Sequence, residues 1–444
     1  MSFTSPVFLF AFLPLTVIVY QLARSTKLKN AVWIAAGLLF YAFGDLRHLP
    51  LLLGSCLLHY GAGRYLMAQK KARRAVLLSC VALDLAVLAF YKVRGALPLG
   101  ISFYTFQAIS YVADTYKNPA DGTKNLREAL QYLTFFPQLT AGPFLKFSAL
   151  RPYLDRRETT WEKNAQGVRR FVCGLCKKVL LSTAAAKLAD AMFSLASIDA
   201  LGAWTGALGY CLQLYFDFSG YSDMALGLGL LFGVQLPENF RYPYCAGSVT
   251  EFWRRWHMTL SGWFRDYVYI PLGGSRNGRA RTVFNKLLVF LATGLWHGTG
   301  WTFVLWGLWH GAFCGAETLL DRNKTLKTHW YGHVYTLLVV IFGFVLFRAE
   351  SLPQALMLLR TMLSGFTPVD ACRLALRNLL TAGTIFWCLA GVLACLPLWE
   401  HAKARFDGSR WFSPALDALT IVGLLLCLMQ LASHSFQPFI YASF

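Results

Sequence analysis

Charge is what this chain has least of. Only 14% of its 444 residues are Asp, Glu, Lys or Arg, where a soluble domain carries about 25%. That shortage excludes an ordinary water-solvated globule. With 56% hydrophobic residues and a mean hydropathy of +0.45, the main solvent is lipid. Acid is scarcer still, 22 Asp and Glu against 42 Lys and Arg, for a net charge of +20. Most of the basic residues fall in short loops between apolar runs, the positive-inside arrangement of a membrane protein, so nucleic acid is not expected as a partner. The short alternating segments of a transmembrane barrel are missing, as are repeats, low-complexity tracts and any sizeable soluble domain. The 11 cysteines lie mostly inside apolar runs and form no spaced framework. Cys173-Gly-Leu-Cys176 reads as small packing residues, and no metal site is expected. No basic residue precedes the first apolar run, Val7 to Leu22, which is therefore read as a retained helix with its N-terminus outside and not as a cleaved leader.

Apolar runs of bilayer length recur along the whole chain. They cover 7–22, 31–44, 49–63, 76–91, 97–113, 179–197, about 203–236, 284–300, 301–320, 331–347, 379–398 and 415–434. The reading is an all-α, polytopic transmembrane helical bundle of about 11–12 spans, forming one membrane domain over 1–444. The basic loops Arg24/Lys27/Lys29 and Arg64/Lys70/Lys71/Arg73/Arg74 orient the first spans with those loops in the cytoplasm. Residues 129–145 are apolar but flanked by basic residues on both sides, and Pro137, Gly142 and Pro143 would break a helix. A re-entrant hairpin buried in protein satisfies both facts. Residues 237–282 are too polar to span and too aromatic to be a free loop, so this segment should lie in the interface or dip into the core.

Within that frame an ionisable side chain in an apolar run is the strongest functional signal. A charged one costs about 2.5–3.5 kcal/mol on insertion scales. His297 sits in Gly294-Leu-Trp-His-Gly-Thr-Gly-Trp301, where Gly294, Gly298 and Gly300 weaken the helix and permit close backbone approach. A neutral imidazole there can act as general base on a hydroxyl; the alternative is a packing histidine bonded to a neighbouring helix. His310 repeats the pattern in Leu308-Trp-His-Gly311. Thirteen residues later on a continuous helix is roughly 220° further round, so either the helix breaks near Gly298–Gly300 or one histidine alone faces a reaction. The segment Thr250-Glu-Phe-Trp-Arg-Arg-Trp-His-Met258 supplies His257 beside Arg254, Arg255 and Trp256, either as an interfacial anchor or as the lining of a polar channel. Asp217 and Tyr221 are spaced to share a helix face, with Asp223 pointing elsewhere. These carboxylates are expected to organise a site, or to pair with arginines such as Arg241 or Arg254. The glycine-rich turn Pro271 to Arg279 lacks the order of a phosphate-binding loop and reads as a plain cytoplasmic turn.

With these residues in hand, the chain resembles the membrane-bound O-acyltransferase family. The matching pieces are PLGISFYTFQAISYVADTY (Pro98 to Tyr116), TFFPQLTAGPF (Thr134 to Phe144), YFDFSGYSDMALGLG, PENFRYPY (Pro237 to Tyr244), TEFWRRWHMTLSGWFRDYVYIPLGG and GLWHGTGWTFVLWGLWHG. They fall in order, with core motifs over about 98–311 and a terminal QPFIY at 437–441. The PENF segment and the YIPLGG turn look more like alginate-acetylating members than D-alanyl-transferring ones. The resemblance implies an acyl thioester donor, acetyl-CoA, entering a central funnel from the cytoplasmic face, with no bound cofactor. It assigns the family's catalytic histidine to His297 and its second histidine to His257. His310, Asp217, Tyr221, Arg254, Arg255, Trp256, Trp296, Asp266 and Asn239 are expected in support. It further implies a multi-pass protein of the bacterial inner membrane, bounded by membrane lipid. The acyl group would go to an exported polysaccharide such as alginate, directly or through a separate periplasmic acyltransferase. D-alanyl or cellulose-type transfer would use the same chemistry. A transporter or flippase is the rival from another class, but it favours inverted repeats, and the Trp-Arg-Arg-Trp-His segment has no second copy.

Overall fold

The computed structural model describes residues 1–69, 71–321 and 323–433, and every regular element among them is helical. Each apolar run singled out above coincides with a helix. Three helices are long and apolar enough to cross a membrane: Arg73–Arg94, Trp330–Arg348 and Phe412–Ala432. Asp370–Leu379 and Ala382–Ala394, bent by 83° at their junction, make a further candidate span. The other runs form helices that are shorter or more polar, some of them covered mainly by protein. Ile101–Lys117 is buried from Ile101 through Ala113, whereas Phe412–Ala432 buries only Cys427. Leu352–Ser364 and Leu398–Phe406 are helices that lie essentially outside the apolar runs. The QPFIY ending lies outside the described residues.

Two compact units are present, one of Met1–Gly174 with Tyr221–Glu238, the other of Leu175–Gly220 with the described residues from Asn239 onward. The first is built on an aromatic core. Phe3, Phe8, Phe40 and Phe136 are essentially inaccessible, and their rings meet at 5.0–6.4 Å in tilted and edge-on pairs, the arrangement aromatic quadrupoles favour. The interrupted, protein-buried backbone expected of 129–145 is found in this unit. Leu126–Leu133 stops at Thr134, a single turn Phe136–Leu139 follows with Pro137 in its first turn, and Phe147–Asp155 resumes after an extended stretch. The broken backbone is buried and draws on side chains: Gln138 donates to the Pro143 carbonyl at 3.1 Å. Such irregular backbone is tolerated at membrane depth only where protein surrounds it.

The second unit holds the two histidine-bearing motifs, TEFWRRWH and GLWHG. Its segment 239–277 is a succession of short pieces, Val249–Arg255, Met258–Phe264 and the wide turn Arg265–Tyr269. Phe252, Trp256, Leu260, Trp263 and Phe264 are buried, so the aromatic stretch goes into the core and does not merely float at an interface. The helix start at Val249 is capped twice. Ser248 Oγ accepts from the Glu251 amide while Glu251 Oε2 accepts from the amide of Gly247, the residue before the cap, at 3.1 Å each. The buried Glu317 accepts from Val249 and Thr250 at 2.7 and 2.9 Å. An anion at a helix N-terminus is favoured by the amide dipoles, and here it ties the segment to the helix Trp301–Leu319.

Candidate active site

His297 is the last residue of the helix Gly278–His297; Gly298 leaves helical geometry, and the next helix starts at Trp301. The break that glycine spacing allowed therefore exists, and the two helices fold back on each other as a tight hairpin. The seam is glycine. A Cβ at Gly294 would run into the Phe303 carbonyl oxygen, one at Gly307 into the Phe290 carbonyl oxygen, and one at Gly315 would lie 2.9 Å from Val283. Small residues of this kind let membrane helices approach backbone to backbone. The result is a buried imidazole at the hairpin tip.

Its surroundings are aromatic. The His297 ring lies 4.7 Å from Trp296, 5.1 Å from Trp306 and 5.0 Å from Phe347, all edge-on. His310 follows in the second helix, 5.4 Å from the same Trp306 and 5.0 Å from Trp253. Hairpin folding thus brings to one indole two histidines that a straight helix would have held on different faces. Neither ring nitrogen of His310 has a hydrogen-bond partner among the described residues, and the indole N–H groups of Trp253 and Trp306 likewise have none. Gly343, from Trp330–Arg348, presses on His310; a Cβ there would overlap its Nε2.

His257 occupies a different corner of this unit. Its backbone is left-handed, φ 42°, an uncommon state for a residue with a Cβ. The amide of the next residue, Met258, donates to the Asn239 carbonyl at 2.9 Å. Asn239 Oδ1 accepts from the Thr259 amide and hydroxyl at 3.2 and 2.9 Å, and lies 3.1 Å from His257 Nδ1. Since that oxygen can only accept, the network assigns the proton of a neutral His257 to Nδ1, leaving Nε2 as the basic nitrogen. Phe218 packs edge-on against the ring at 4.6 Å, and Phe240 lies parallel at 6.5 Å.

The supporting positions divide. Trp256 is 3% exposed and packs on Phe240 and Phe344 at 5.1 and 5.2 Å, and Trp296 lies against His297. Arg255 is braced by Glu251 at 2.7 Å, Arg254 is exposed, and Asp266 pairs with its neighbour Arg265 at 2.8 Å. Asp217, for which the sequence left open an arginine partner such as Arg241 or Arg254, forms a buried ion pair with Lys178, from the wide turn Lys177–Ser182. Asp223 pairs with Arg170 at 2.6 Å in the first unit. Tyr221 bonds Thr140 and stacks on Phe3 there, at 4.7 Å. Spacing along one helix says which residues share a face but not which neighbour that face meets. Lys178, Glu317 and Trp306 were not picked out from the sequence. Lys178 could have been, as a cation at the edge of an apolar run looking for an acid.

The family model of the membrane-bound O-acyltransferases matches residues 120–358, which span the re-entrant segment, both buried carboxylates, the His257 corner and the whole hairpin. The chain belongs to the membrane-bound O-acyltransferase family. It is accordingly a membrane enzyme of the O-acyltransferase class, which sets aside the transporter reading. A "probable alginate O-acetylase AlgI" of Azotobacter vinelandii is 36% identical, with 100% of each chain aligned. Its namesake in Pseudomonas aeruginosa is 40% identical over 82% of this chain and 75% of the relative. The peptidoglycan O-acetyltransferase of Helicobacter pylori is 36% identical over 84% and 81%. Family membership accounts for the hairpin and the His257 corner falling inside one matched region.

Proposed function

We propose that this acyltransferase moves an acetyl group from acetyl-CoA to a hydroxyl of an exported glycan, with His297 as general base. The observation that carries the assignment is the buried imidazole at the hairpin tip, set on Trp306 within the family-matched region. His297 takes the proton of the acceptor hydroxyl as that oxygen attacks the thioester carbonyl. The tetrahedral intermediate then expels the CoA thiolate, which receives the proton back from the imidazolium. The Trp306 indole N–H, with no protein acceptor among the described residues, is placed in this scheme as a donor to the oxyanion. His257, its tautomer held by Asn239, would position the acceptor hydroxyl through Nε2, and His310 packs edge-on against the same Trp306. Asp217 with Lys178, and Arg255 with Glu251, serve as scaffolding.

The acceptor is read as an alginate-like polysaccharide because the alginate-type relative aligns over its whole length. Peptidoglycan is the second reading, favoured by a relative of equal identity. The enzyme would sit in the bacterial inner membrane with its basic loops in the cytoplasm, where acetyl-CoA is available. Transfer outside would be direct or through a periplasmic acyltransferase partner. The test is acetyl turnover by purified protein in detergent with labelled acetyl-CoA, offering each glycan in turn. His297→Ala should lose about 10²–10⁴ of the rate, the usual yield of general base catalysis, while still inserting and expressing. Wild-type rates in that variant would refute the role given to His297.

A further inference from the structure

The first unit contains a group of cations that the acyl-transfer chemistry does not use. Lys29 Nζ lies 5.4 Å over the Tyr20 ring, and the Arg157 guanidinium lies 5.8 Å over the same ring and 4.9 Å over Trp33. Arg127 is close enough that its charge opposes that of Arg157. All three side chains are half-buried. Arg157 Nη2 donates to Asn30 Oδ1, an oxygen that Gln131 also bonds at 2.9 Å; a neutral amide cannot balance the charge. The Arg157 guanidinium also bonds the Tyr20 hydroxyl, but its Nε and Nη1 and the Nε of Arg127 have no hydrogen-bond partner among the described residues. Nearby acids are engaged elsewhere: Glu158 pairs with Arg156 at 3.2 Å and Glu128 accepts from Thr123 at 2.6 Å. Burial lowers the proton affinity of Arg157 and Arg127 adds to this, with Tyr20 acting the other way.

Like charges gathered in a part-buried place, with no carboxylate among the charges that act on Arg157, are unfavourable unless an anion joins them. Guanidinium forks match the oxygens of phosphate, and the aromatic walls order them on one side. Lys29 also closes the basic run Arg24/Lys27/Lys29, at a helix end where headgroups would lie. We propose that Lys29, Arg127 and Arg157 form a binding site for a phosphate-bearing anion, with Tyr20 and Trp33 as its aromatic walls. The phosphate can be that of an anionic phospholipid headgroup or of a soluble phosphate compound, which present the same chemistry.

Thermal unfolding of the purified full chain in detergent separates these sources. One arm compares added phosphatidylglycerol with phosphatidylcholine; the other compares inorganic phosphate and pyrophosphate with chloride at equal ionic strength. Ligand that binds only the folded protein raises Tm, and a rise of a few degrees is expected in one arm. A response to phosphatidylglycerol alone assigns a lipid headgroup, and a response to phosphate or pyrophosphate assigns a soluble ligand. Arg157→Gln and Arg127→Gln should each lose the rise and Arg157→Lys should keep part of it. If Arg157→Gln does not fold, Arg127→Gln and Lys29→Gln carry the comparison. No selective rise in either arm, or a full rise in the glutamine variants, overturns the site. Acetyl turnover does not enter the readout, so its loss or retention leaves this test unaffected.

Discussion

The indole of Trp306 is the contact that turns two separate histidines into one arrangement, since His297 and His310 lie 5.1 and 5.4 Å from it. If its N–H stabilises the oxyanion, Trp306→Phe keeps the ring packing and removes the donor alone. Acetyl turnover should then fall about 10²–10³-fold, the range for losing one such donor, with Tm nearly unchanged. A Tm loss matching the activity loss would mean that the residue only packs. Histidines in apolar runs are visible in a one-dimensional reading because ionisable groups there are rare. The rings around them are not visible, because nearly every run is aromatic and nothing in the order of residues says which ring arrives.

The hairpin Gly278–His297/Trp301–Leu319 depends on backbone contact, so its tolerance for side chains should follow the space beside each glycine. Gly307→Ala places a Cβ against the Phe290 carbonyl and should cost about 1–3 kcal/mol, as overpacking does. A fall in Tm and in turnover would report it. Gly262→Ala, in Met258–Phe264, meets nothing within 4 Å and should leave Tm unchanged or raise it, since alanine favours the helix. A second helix junction should respond to pH. Asp199 accepts from the amides of Gly202 and Val369 at 2.9 and 3.0 Å and from the Cys372 thiol at 3.3 Å. Burial pushes its carboxyl upward, but these bonds outweigh it and hold the group below its ordinary range. A carboxyl lowered in the folded state lends stability above its unfolded value, and that stability is lost as pH falls through the folded one. Wild-type Tm should therefore drop more steeply than that of Asp199→Asn between about pH 5 and about pH 3; parallel curves would refute the linkage.

For the protein in its membrane, the basic loops set the expected orientation. Cysteines placed singly at Lys27 and Lys71 in a cysteine-depleted background should react with an impermeant maleimide only after the membrane is opened. One placed at Arg47, beside Asp45, should react from outside. Reversal of that pattern would invert the proposed entry of the thioester. Several expectations at this level hold in the structure. The helical class, the place of each apolar helix, the broken buried segment after Leu133 and the interruption at Gly298 all agree. Helices such as Leu352–Ser364 escaped notice because their polar faces dilute a search for continuous apolar runs.

Lipid as solvent, an all-helical architecture and the candidate imidazoles follow from the order of residues, because hydropathy, glycine and proline act locally and leave a local record. Pairing does not. That Asp217 meets Lys178, that Glu317 caps Val249–Arg255, and that Lys29 and Arg157 gather around Tyr20 and Trp33 depend on which helices become neighbours. Such choices are made by the packing of distant segments, where many residues of similar type compete and only their summed fit selects the partner.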